Sequence, residues 1–219
     1  AFLKDKFNNK SVLEVQRMRN IILEANEIGG FNVDSQYWFD TITLKLGLLK
    51  KIEDFVIANL RVSNTNTAQN VQLATAFSNL VHETQKERGA TAGFIGSKGK
   101  KFIQKLQKQR LLTNKKMIIA KDTLLKLGNS TLNLEARKYL KDGLIQLDKL
   151  NTIRASVDDF SIGSSKAINY YTNMHAIFIN IIGAIAKDAT TAEEARDLSA
   201  WYNFIMSKER AGIERAVMS

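Results

Sequence analysis

The chain has no cysteine and no proline among its 219 residues. Without cysteine there is no disulfide framework, no thiolate zinc site and no cysteine nucleophile. The compartment stays open, because oxidising and reducing spaces both accept a cysteine-free chain. Histidine is almost missing as well. His82 and His175 are the only two. Neither has a Glu three residues before it, as a dimetal helical bundle requires, and His82-Glu83 has no second His four residues on, as a zinc protease would. We therefore expect no metal, no cofactor and no catalytic residue, and no phosphate loop or nucleophile–base pattern argues otherwise. Long apolar runs are also lacking. The best, Ala176 to Ala186, is broken by Asn180, and a spanning helix needs about 20 apolar residues. Lys4-Asp5-Lys6 interrupts any apolar start, so no signal peptide is expected; a membrane-bound parent trimmed to this part fits the same observation.

What is present is charge and helical periodicity. Lys and Arg number 32 against 22 Asp and Glu, a formal charge of +10, which favours anionic partners. Leu, Ile, Ala, Lys and Glu dominate and apolar residues recur every three or four positions, so the fold class expected is all-α. Ser11-Val12-Leu13-Glu14 reads as a capping box opening a first helix that Gly29-Gly30 closes. Asp34 caps a second helix with the stripe Trp38, Ile42, Leu46, Leu49, Val56, Leu60. The polar stretch 63–67 predicts a turn. Further helices are expected from Ala68 to Ile95, Lys101 to Leu127, Leu132 to Phe160 with a bend or loosening at Gly143, and Ser165 to Lys187. A last one is capped by Thr191-Ala192-Glu193-Glu194. Seven helices with short links imply elongated antiparallel bundles.

The informative positions are charges on faces that should be buried. Arg19 lies within the stripe Val12, Val15, Ile22, Asn26. Arg88 lies within Phe77, Leu80, Thr84, Thr91, Ile95. Glu209 and Gly212 continue the face of Leu198, Trp201, Tyr202 and Ile205. A guanidinium keeps its charge, so burial demands a partner. Glu83, Glu87, Glu209 and Glu214 are candidate internal partners. The other reading is that two arginines on different helices converge on a small planar oxyanion, which suits their fork of donors, with glutamates orienting them from behind. Gly89 and Gly93, with Ala211-Gly212 opposite, make flat faces that let helices approach closely, or let backbone approach a ligand. Gly costs about 1 kcal/mol against Ala inside a helix, so something should offset it. Trp38, Phe39, Trp201 and Tyr202 read as packing residues, as do Tyr170-Tyr171, one of whose hydroxyls could reach a ligand.

These residues resemble a known family. The stretch 80–94, Leu-Val-His-Glu-Thr-Gln-Lys-Glu-Arg-Gly-Ala-Thr-Ala-Gly-Phe, resembles the first signature of the NIT domain, the nitrate- and nitrite-sensing domain of bacterial receptors and regulators. Lys208-Glu209-Arg210-Ala211-Gly212-Ile213-Glu214-Arg215-Ala216 resembles its second signature. Tyr37-Trp38-Phe39-Asp40-Thr41-Ile42-Thr43 through Leu49-Lys50-Lys51-Ile52-Glu53-Asp54 resembles its closing helix. The resemblance implies two stacked four-helix bundles, the second short of part of its usual complement, and an anion held between helices by arginines. It places the first such arginine on Arg88. The second falls on Arg17-Met18-Arg19, where Arg19 is favoured because it faces inward. Arg17 lies about 160° around the helix and ranks as a supporting residue with Glu87, Glu209 and Glu214. Thr91 and Gly89 complete the expected ligand contacts.

The motif order departs from the family's. Residues 1–62 resemble its C-terminal part and residues 68–219 its N-terminal part, as though Ser219 were joined back to Ala1. A circular permutation, descent from tandem copies, or a residue order different from the gene's would each account for this. The expectation is a single sensor domain for nitrate or nitrite, which the motifs do not tell apart. It would be attached to membrane and signalling segments, most like those of a methyl-accepting chemotaxis receptor, as a homodimer on the extracytoplasmic (periplasmic) side of the inner membrane. A soluble RNA-binding regulator is the other family setting. The alternative function is nucleic-acid binding by Lys98 to Lys121, with nine Lys or Arg and no acid. Phe102 is its only aromatic, so base stacking is poorly served, and nucleic acid is not the expected partner.

Overall fold

The computed structural model describes residues 8–25 and 32–218. Asn26, the Gly29-Gly30 stop, Lys4-Asp5-Lys6 and the Ser219–Ala1 junction lie outside the described residues. Those residues are organised as eight helices: α1 (Lys10–Glu24), α2 (Ser35–Ala58), α3 (Thr65–Gly96), α4 (Ile103–Leu127), α5 (Leu134–Asp148), α6 (Leu150–Asp158), α7 (Ser164–Ala186) and α8 (Ala192–Val217). No strand occurs among them. The eighth helix arises because the expected rod from Leu132 to Phe160 divides at Lys149, whose backbone stays right-handed helical (φ −80°, ψ −10°). The division is therefore confined to the single residue between the two pieces.

Caps set most boundaries. Asp34 accepts from the Tyr37 backbone N–H at 2.8 Å and Asn64 from that of Thr67 at 2.9 Å. Thr191 receives the Glu194 N–H at 3.1 Å, as expected from its capping sequence. Because Asn64 is the cap, α3 begins at Thr65, inside the stretch expected to be a turn. The first helix differs likewise. Its cap is Asn9, whose side chain accepts from the Ser11 N–H at 3.0 Å and the Ser11 hydroxyl at 2.8 Å. Ser11 is thus already inside α1.

α3 is the axis of the molecule. It packs against α4, α7 and α8, with a lighter contact to α2; α5 covers α7, α2 lies on α8, and α1 lies on α2. From Phe77 to Gly93 every residue of α3 is buried except Asn79 and Lys86. A helix apolar on one face only would not do this. Its environment changes along its length. Val71 to Val81 join the large apolar cluster with Phe178, Ile182, Trp201 and Ile205. Ala90 joins a smaller cluster with Phe39, Phe102 and Leu106. Between them, Glu83, Thr84, Gln85, Glu87 and Arg88 form a buried polar layer. α5 runs through Gly143 without interruption. A Cβ there would sit 2.5 Å from the Phe178 ring, so the glycine lets α7 press close.

Candidate functional site

The buried polar layer is built where α3, α7 and α8 meet. Arg88 is wholly buried. One terminal nitrogen, Nη1, donates to Glu209 Oε1 and to the Thr172 hydroxyl at 2.9 Å, and Nη2 donates to Glu209 Oε2 at 3.3 Å. Its Nε makes no hydrogen bond among the described residues. Glu209 also accepts from the Gln85 amide at 2.5 Å and faces His175 Nδ1 at 3.3 Å. Burial by itself would raise the Glu209 carboxyl, but the charges of His175 and Arg88 outweigh it and hold the group down at about 2. Near neutrality burial keeps His175 below its ordinary range, against the pull of Glu209. The neutral ring then donates from Nδ1 to the carboxylate, and the Thr84 hydroxyl at 2.9 Å faces Nε2.

Arg215 enters the same layer from α8. It is wholly buried. Nη1 donates to the Thr43 hydroxyl at 3.1 Å, Nη2 to the Gln85 carbonyl at 2.5 Å, and the guanidinium lies 5.2 Å from the Phe39 ring centre. Burial, reinforced by the positive charge of Arg88, pushes it down to about 9, so it stays cationic at neutral pH. The two arginines are seated reciprocally. A Cβ on Gly212 of α8 would stand 2.8 Å from Arg88 Nη2, and one on Gly89 of α3 would stand 2.9 Å from Arg215 Nε. Each guanidinium thus lies in a notch that the opposite helix opens by lacking a side chain. The flat faces read from Gly89 and Gly212 are used by arginines as well as by backbones. Gly93 serves packing instead, beneath the Phe102 ring.

The other site candidates distribute as follows. Glu87 takes a two-pronged bond from Arg154 of α6 (2.7 and 2.8 Å) and the Tyr171 hydroxyl at 2.8 Å. Glu83 pairs with Lys86 at 3.0 Å and receives the Gln109 amide at 2.7 Å. Arg19 makes a two-pronged pair with Glu214, both about a quarter exposed, one residue along α8 from Arg215. Arg17 points to solvent on Glu14. Thr91 is buried on α3, one turn beyond Glu87. The structure therefore brings together Arg88, Gly89 and Glu209, and puts Arg19 with Glu214 at the α1–α8 contact.

Sequence reasoning missed Arg215, His175, Arg154 and the buried pair Lys208–Glu53. Arg215 was readable in principle, because it follows Gly212 by three and Lys208 by seven on one face of α8. Arg154 was not, since its partner is 67 residues away. On the basic segment, Lys105, Arg110 and Lys121 pair with Asp40, Asp158 and Asp148, and Phe102 is buried. No helix of the described residues is long and apolar enough to cross a membrane, and they contain no cluster of His, Asp or Glu able to hold a metal ion.

The described residues thus form a helical bundle whose interior holds two wholly buried arginines, Arg88 and Arg215. The NIT family model, described as nitrate and nitrite sensing, matches residues 79–219, and the chain belongs to that family. Searches of curated proteins and of solved structures gave no match.

Proposed function

We propose that this domain senses nitrate or nitrite by exchanging the anion for the Glu209 carboxylate at Arg88. The observation that carries the reading is the buried Arg88 fork, inside the family-matched segment, occupied by a carboxylate from a different helix. A planar oxyanion presents in-plane acceptors much as a carboxylate does, so it can take the same donors. Gly89 and Thr91 line the same stretch of α3. Arg19 supplies the second cation in this reading, tied to the site through Glu214 on the Arg215 turn of α8. Releasing Glu209 loosens one polar tie between α8 and α3, another being Arg215 to the Gln85 carbonyl. An anion that favours the released arrangement shifts the population of helix positions, which is what a signal requires.

The wider setting belongs to the same proposal. Residues 1–62 stand for the family's C-terminal part and 68–219 for its N-terminal part. In support, α2 packs on α8 and α1 on α2, Arg19 of α1 pairs with Glu214 near the end of α8, and Met218 packs with Val15, Met18, Trp38 and Ile42, where a segment following α8 would lie. The parent is read as a homodimeric receptor with this domain on the extracytoplasmic side and a chemotaxis output.

Calorimetric titration of nitrate and nitrite tests the site. Wild type and Arg17→Ala should bind alike, Arg88→Ala should lose binding while keeping its helical circular dichroism, and Arg19→Ala should bind more weakly. Equal binding by wild type and a folded Arg88→Ala would remove Arg88 from the site.

A further inference from the structure

The buried arginines must be reached from solvent, and one recess opens beside the contacts of Arg215. It has a volume of about 230 Å³ and is lined by Phe39 and Thr43, Lys86 and Ala90, and Lys105 and Gln109, with Asp40 at its edge. Each pair is four residues apart on α2, α3 or α4, so three helices each turn one face toward the same space. The volume is several times the roughly 30 Å³ share of one water, enough for a small anion with part of its hydration.

Two of these lining residues also touch Arg215. The Thr43 hydroxyl accepts its Nη1, and the Phe39 ring carries its guanidinium. Gly89, the neighbour of Ala90, is the notch in which Arg215 Nε lies. Arg215 therefore lies behind the wall that Phe39 and Thr43 give the recess, and Arg88, whose partners Thr172 and Glu209 stand on α7 and α8, lies in the same buried layer. The approach is basic. A larger open groove of about 600 Å³ adjoins along α4, shares Lys105 and Gln109, and continues past Lys100 and Lys108. Lys105 and Lys86 have carboxylate partners in Asp40 and Glu83, so with Arg215 these groups carry a net charge of +1, and Lys100 and Lys108 add to the field outside. A groove with a net positive charge attracts small anions.

We propose that a small oxyanion enters through this recess and meets Arg215 before it reaches Arg88. The proposal rests on the anion-sensing reading above. It makes Thr43 the gatepost and Lys105 a steering charge.

The test is the exchange rate of sodium nitrate with the full chain, read from NMR line shapes during titration. Thr43→Phe should slow association and dissociation together by about tenfold or more, with the dissociation constant changed less than about threefold, because a narrowed port acts equally on both directions. Lys105→Gln, at the recess rim, keeps the test alive should the bulky variant not fold. It should slow association several-fold at low salt, and the difference should vanish at high salt. Unchanged rates in a folded Thr43→Phe, or in Lys105→Gln at low salt, overturn the port while leaving the sensor reading intact. A wild type that binds no nitrate ends both.

Discussion

Arg88 and Arg154 show how this interior tolerates charge. Each is buried with a glutamate from another helix, and each glutamate is further satisfied by neutral donors, Gln85 for Glu209 and Tyr171 for Glu87. Removing one member of a buried pair strands the other and costs about 3–5 kcal/mol. Arg154→Ala should lose stability of that order in urea denaturation, because Glu87 would keep Tyr171 alone. Arg17→Ala should leave the midpoint where it is, since its pair with Glu14 is solvated. Glu209→Gln separates structure from sensing. The amide keeps the shape but not the charge that competes for Arg88, so nitrate should raise Tm more in this variant than in wild type. An equal or smaller rise would count against the exchange of anion for carboxylate. The candidate site was partly legible at this scale. Gly89 follows Arg88 in the chain, and Arg88, Glu209 and Gly212 interrupt stripes that are mostly apolar. Arg215 stands on one too, but its role shows only when Gly89 of α3 is seen beneath it.

At the scale of the helix, the same residue type has opposite effects according to what lies opposite. Gly47 in α2 faces open space, whereas a Cβ at Gly143 in α5 would meet the Phe178 ring at 2.5 Å. Gly47→Ala should stabilise by about 0.5–1 kcal/mol through backbone entropy. Gly143→Ala should instead destabilise by about 1–3 kcal/mol, because Phe178 is stacked on Phe77 at 4.8 Å and has nowhere to go. Denaturant midpoints of the two variants should move in opposite directions. Helix positions were largely legible from spacing and caps, as Asp34 and Thr191 show. The exceptions are local. Asn9 rather than Ser11 caps α1, and Lys149 divides a rod whose apolar pattern runs on unbroken.

For the molecule as a whole, burial of titratable groups makes stability depend on pH in a definite direction. Burial holds His175 and His82 below the usual imidazole range, His82 further lowered by Lys208 and Lys86. In the unfolded chain both titrate near 6.5. Below about that pH the unfolded state binds protons that the folded state does not, so stability is full above it and is lost as pH falls. A second loss should follow below about 4.5, as Glu209, held at about 2 when folded, is protonated first in the unfolded chain. Urea denaturation from pH 8 to pH 3 should show both declines, and His175→Gln should shrink the first. A flat profile between pH 7 and pH 5 would mean that neither imidazole is kept neutral by the fold.

By itself the sequence determined an all-helical chain, the faces its helices bury, the charges interrupting those faces, and the family signatures at 80–94 and 208–216. These are local properties, set by spacing along a helix of about 3.6 residues per turn. Only the tertiary structure decided which glutamate meets which arginine, that Arg88 and Arg215 lie across each other's glycines, and that Thr43 joins a surface recess to the buried layer. Those pairings depend on the rotation and depth at which separate helices pack. Residues as far apart as 43 and 215 come within hydrogen-bond distance only once that packing is complete.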